Sequence, residues 1–135
     1  MHDTKIGIIV REELEVWQKL NVTAFLASGI AGSAPECIGK EYEDGSENRY
    51  LPIFAQPVFV YAASEEHLQR TRSRALSREV TVALYTRGMF ATGNDDDNRA
   101  VVKAVAADDL DIVGLAFRCD RKTFDKIVHG LKLHS

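Results

Sequence analysis

Six side chains carry the chemistry that this sequence could perform: Lys19, Thr86, Arg87, Thr92, Asn98 and Arg99. Thr86, Arg87 and Thr92 share one segment, residues 86–93, directly after an apolar run that ends at Tyr85. In open α/β sheets, ligands sit outside the carboxyl ends of the parallel strands, and the segment after Tyr85 is such an end. A lysine and an arginine there could hold an anionic group, with threonine hydroxyls as donors. The alternative is a pair of solvated surface cations. Asn98 could orient a ligand, and Arg99 could make a two-pronged bond to a carboxylate or phosphate. The plainer role for Arg99 is a salt bridge to an acidic neighbour such as Asp111.

Other clusters carry less. The run Asp95, Asp96, Asp97 invites a metal, but a calcium loop counted from Asp95 needs glycine sixth and glutamate twelfth. Those places hold Ala100 and Ala106. Carboxylates at a helix start already suit the dipole, so no metal is expected. His67, His129 and His134 are scattered, with no His-x-x-His or His-Cys pairing to support zinc. Cys119 follows a strand end and precedes a helix start, a place that can lower a thiol pKa; partial burial is the commoner fate. Arg70, Arg72, Arg74 and Arg78 could form a basic strip, yet no aromatic residues interleave to stack bases. Pairing with Glu65, Glu66 and Glu79 is the simpler expectation. Gly-rich phosphate and dinucleotide loops are absent, and no cofactor is expected.

The bulk numbers frame these candidates. A chain of 135 residues, 45% apolar and 27% charged, is one domain (1–135) able to bury its own core. The net charge of −3 counts against a general nucleic-acid binder. No apolar run approaches the ~20 residues needed to span a bilayer. The first residues lack a signal-peptide layout, so a cytoplasmic location is expected. The two cysteines, Cys37 and Cys119, are expected to be reduced.

Elements that would position these residues follow from the pattern. Lys5–Val10 is a central strand, and Glu12 to about Ser33 a long helix. Its second half is rich in Ala, Gly and Ser and suits close packing on the sheet or a partner subunit. Pro35 ends it. Asp44-Gly45, between two short polar runs, fits either a hairpin or an exposed loop. Phe54–Ala62 becomes a strand only after Pro57. Ser64 caps a helix to about Ser77. Val80–Tyr85 is a third core strand. A helix runs from about Asp96 to Ala107. The apolar run Asp111–Phe117 is a strand covered on both faces. Asp120 then caps a last helix closed by Gly130, with Phe124, Ile127, Val128 and Leu131 on one side. The expected fold is α/β: a three-layer sandwich with a mixed sheet of about four strands and helices on both faces.

Three segments carry a family resemblance: Ile6–Gly29 with Lys19; Val58–Leu68 through Val80–Tyr85; and Ile112–Ala116 with Phe124–Leu133. Together with Asn98-Arg99-Ala100 and Leu110–Gly114, they make the chain similar to a bacterial family of unknown function within the peptidyl-tRNA hydrolase II superfamily. The resemblance implies that fold and a homodimer. Hydrolases of the superfamily carry a Lys-Gly-Lys turn, then glutamine and histidine on the first helix. Here Lys19 matches the first lysine, Leu20 and Asn21 replace the next two residues, and Phe25 and Ser28 replace the glutamine and histidine. The loop Tyr85–Thr92 holds no aspartate where the family keeps its catalytic one. Thr92 stands for the family threonine only with a one-residue gap.

The leading expectation is thus a domain that binds a small anionic ligand at Thr86, Arg87, Asn98 and Arg99. A divergent hydrolase using Lys19 and Thr92 as catalytic residues on an ester or amide is the first alternative. A non-catalytic interaction module is the second.

Overall fold

The computed structural model describes residues 2–135. The strands are β1 (Thr4–Arg11), β2 (Tyr42–Glu43), β3 (Arg49–Tyr50), β4 (Val58–Ala63), β5 (Ala83–Thr86), β6 (Ile112–Asp120) and β7 (Lys132–Leu133). The helices are α1 (Val16–Ser33), α2 (Glu65–Ser77), α3 (Asp95–Lys103) and α4 (Arg121–Ile127). Five strands form one sheet in the order β5-β6-β1-β4-β7. Only β1 and β4 pair in parallel; the β1–β6, β5–β6 and β4–β7 pairs are antiparallel. Two reversals make β5 run in the direction of β1 and β4. The ends of β1, β4 and β5 and the start of β6 therefore lie at one end of the sheet.

β1 is central and buried on both faces, as its unbroken apolar run requires. Ile6, Ile8 and Val10 face α1, whose Val22, Leu26 and Ile30 form its inner stripe. Ile9 faces the other layer, with Leu68 and Ala75 of α2 and Phe124 and Ile127 of α4. The helices thus cover both faces. α1 comes very close to β6 at Gly114, where an added Cβ would lie 2.5 Å from Val22 Cγ1.

Several boundaries differ from the sequence expectation. α1 begins at Val16, because residues 11–14 form a turn closed by Leu14 N–H to the Arg11 carbonyl. The 80–85 strand shortens to Ala83–Thr86. α2 ends in a Schellman turn, with Glu79 N–H donating to Leu76 O and Val80 N–H to Ala75 O, and Glu79 is left-handed at φ 57°. That turn uses up the first residues of the expected strand. α3 stops at Lys103 and gives way to a 3-10 turn at Ala107–Asp109. The hairpin forms, but its turn is longer than two residues. Asp44 takes the Ser46 and Asn48 amides and the Tyr50 hydroxyl, and Glu47 supplies the left-handed residue. β7, a fifth strand, follows Gly130, whose φ of +89° reverses the chain. No helix among the described residues is long and apolar enough to cross a membrane.

Candidate functional site

A groove of about 360 Å³ opens at the β5 edge of the sheet, on the α1 side. Three stretches of chain build its walls. Trp17, Asn21 and Phe25 come from the outer stripe of α1, one helical turn apart. Tyr85 comes from β5. Phe90, Thr92 and Asn98 come from the following 3-10 turn (Arg87–Ala91) and from α3. Aromatic rings dominate. Tyr85 and Phe90 lie 5.2 Å apart between centroids, Phe25 and Tyr85 5.8 Å, and Trp17 meets Phe90 edge-on at 5.9 Å. Such tilted and edge-on pairs are the favoured aromatic geometries. Trp17 and Phe25 nevertheless stay 60% and 54% exposed. Burial pushes the Tyr85 phenol above its ordinary value, so it remains a protonated donor.

Polar groups sit among the rings. The Thr92 hydroxyl lies between the Met89 carbonyl, at 2.9 Å, and the side-chain oxygen of Asn98. With one proton it donates to only one of them at a time, which leaves the other oxygen open to a ligand donor. Asn94 caps α3 by accepting from Asp97 N–H at 2.8 Å. The three aspartates that follow fill the first turn of α3, where they suit the dipole as expected.

The six sequence candidates do not converge. Thr92 and Asn98 line the groove. Thr86 is buried at the start of the 3-10 turn, 5% exposed. Arg87 is turned away into an ion network, with Nε 2.9 Å from Asp111 Oδ2 and Nη2 3.2 Å from Glu13. Arg99 pairs with Asp95 and, at 3.2 Å, with Asp96 rather than with Asp111. Lys19 is drawn to the opposite edge of the sheet, its Nζ 3.3 Å from His134 Nε2 just beyond β7. The groove thus contains none of the three cations. Trp17, Asn21, Phe25, Tyr85 and Phe90 were not among the candidates. Trp17, Asn21 and Phe25 do share a stripe that the helical period shows; what sequence leaves out is that this stripe faces away from the sheet.

The other clusters resolve as follows. Arg11, 6% exposed, lies at the end of β1 and reaches Glu13 at 2.7 Å, Asp111 at 2.9 Å and the Ile112 carbonyl at 2.8 Å. It is the hub of the network that holds Arg87. The expected pairing of the α2 arginines with Glu65, Glu66 and Glu79 does not form; Glu65 instead approaches Arg11 at 4.0 Å. Cys37 and Cys119 are free thiols. Cys119 is pushed up to about 11 by burial and then by Asp120 and Asp125, so its place before α4 does not activate it. His129 lies just past the end of α4. No group of three or more metal-ligating side chains occurs among the described residues.

These features define a mixed α/β domain with helices on both faces and an aromatic groove at one sheet edge. The chain belongs to a protein family of unknown function, DUF2000, whose model matches residues 4–135. It is similar to a solved protein of unknown function from Agrobacterium tumefaciens strain C58, at 50% identity over the full length of both chains and a TM-score of 0.98. No curated protein matches it.

Proposed function

We propose that this domain binds a small, flat, uncharged or cationic heterocycle, such as a nucleobase or nucleoside, in the groove after β5. The carrying observation is the half-exposed Trp17 and Phe25 standing beside Tyr85 and Phe90, with amide and hydroxyl groups at the same wall. Aromatic faces stack flat rings, and base–aromatic stacking is worth ~1–3 kcal/mol per base. The Asn21 and Asn98 amides offer paired donors and acceptors that suit base edges. The groove borders the segment after Tyr85. An anion is disfavoured there because Arg87 and Arg99 are already paired with carboxylates.

Kinship with the peptidyl-tRNA hydrolase II superfamily remains our reading of the three matching segments. Hydrolysis by Lys19 and Thr92 gains no support, since the two lie toward opposite sheet edges. Self-association through α1 draws on Val16 and Leu20, which are 72% and 68% exposed on its outer side; sedimentation velocity would read it directly.

The test of binding is a nucleobase and nucleoside panel followed through the side-chain amide resonances of Asn21 and Asn98. Saturable shifts at both, with little change at the distant Asn48, support the reading. Uniform absence of shifts across the panel would remove it.

A further inference from the structure

On the opposite face of the sheet, α2 and α4 flank an open, shallow cleft of about 550 Å³ lined by Arg74, Arg78, Lys122, Asp125, Lys126 and His129. Arg74 lies in the last turn of α2 and Arg78 caps its end, while Lys122 and Lys126 are one turn apart on α4, so each helix brings two cations toward the same space. Among the described residues none of these four makes an ion pair with a carboxylate; other cations such as Lys19 and Lys103 are also unpaired, but these four converge on one depression. The one carboxylate of the cleft, Asp125, is bonded to Lys5 Nζ at 2.7 Å and is thereby neutralised. Arg74 is held in place by its Nη1, which donates to the His129 carbonyl at 2.7 Å. Arg78 Nη1 donates to the Arg74 carbonyl at 3.1 Å. Both guanidinium groups keep further N–H donors for a ligand. In a chain of net charge −3, gathering four unpaired cations costs mutual repulsion that an anion would relieve.

We infer that this cleft is a binding site for a small polyanion carrying two or more phosphate groups. Two helices each presenting a pair of cations fit linked phosphates better than a single one, and arginine matches phosphate oxygens with two parallel N–H bonds. Apart from the His129 imidazole no aromatic ring lines the cleft, so recognition rests mainly on the phosphates. The acidic balance of the chain favours a small molecule over a long nucleic acid. The site is separate from the aromatic groove, which lies on the α1 side.

The experiment is calorimetric titration of the whole protein with inorganic tripolyphosphate, pyrophosphate and sulfate at low and moderate salt. The expected result is one-to-one binding of tripolyphosphate and pyrophosphate, at least ten-fold tighter than sulfate and weakened by salt. Arg78→Glu/Lys126→Glu, at exposed positions, should weaken it ten-fold or more with an unchanged circular dichroism spectrum. Lys40→Glu/Arg49→Glu alters net charge equally on the β2–β3 side and should leave it nearly intact. Absence of binding, equal weakening by both double variants, or no preference over sulfate would overturn the inference. So would a short single-stranded RNA that binds a hundred-fold tighter than tripolyphosphate, since the ligand would then be a nucleic acid.

Discussion

Arg11 and Asp111, one hundred residues apart in sequence, meet at 2.9 Å where β1 ends and β6 begins. Asp111 bridges that buried guanidinium to Arg87, so the carboxylate links three strand ends at once. Burial pushes the Asp111 carboxyl up, but the bonds from Arg11 and Arg87 together outweigh it and hold the group below the usual carboxylate range. A lowered native pKa stabilises the fold above the unfolded value, near 4, and this contribution is lost as pH falls through the native value. The melting temperature of Asp111→Asn should therefore lie below that of the native protein at neutral pH, and the gap should close below pH ~4.

Removal of the hub itself should cost more. Arg11→Met removes the donor to Asp111 Oδ1 and to the Ile112 carbonyl, leaving Asp111 only its bond from Arg87. A broken buried pair costs ~3–5 kcal/mol. Asp111 and Glu13 remain about half in water, so a loss of about 2 kcal/mol is expected in urea denaturation.

Close packing at Gly114 gives a separate test. An alanine there would bring its Cβ to 2.5 Å from Val22 and 2.9 Å from Leu26. Gly114→Ala should destabilise by about 1–3 kcal/mol, the range for overpacked cores. Recovery of part of that loss in Gly114→Ala/Val22→Ala would place the strain at this contact.

Glu79 closes α2 in a left-handed conformation, with φ 57°. That region costs a side chain roughly 1–2 kcal/mol, while glycine adds freedom to the unfolded chain. Glu79→Gly should raise stability by about 0.5–1 kcal/mol, read from the denaturation midpoint.

The thiols offer a chemical check. Cys37 is 3% exposed and Cys119 is pushed up to about 11. Both should react slowly with a disulfide reagent at pH 8 and rapidly once the chain is unfolded. Fast native labelling of the half-buried Cys119 would contradict its raised thiol pKa.

Some of this was legible in the sequence because local signals agreed. The unbroken apolar run of β6, the Asp120 cap and the turn at Gly130 all lie within neighbouring residues, and the cap bond from Thr123 N–H forms as expected. β7 was hidden because two residues carry no period. The groove was half legible. α1 is apolar on several sides, so spacing alone did not decide which stripe meets the sheet; Val22, Leu26 and Ile30 do, and Trp17 and Phe25 are left outside. The fate of Arg87 depends on Glu13, 74 residues away, and no local spacing reports such a partner.

Trp17 is the single tryptophan and stands at the groove, so its fluorescence reads the proposed site without a label. Titration with the nucleoside panel should give a saturable change for at least one member, lost in Phe90→Ala and weakened in Asn98→Ala. A flat response for every member in the native protein, or an equal response in Phe90→Ala, would contradict a ligand held by these rings.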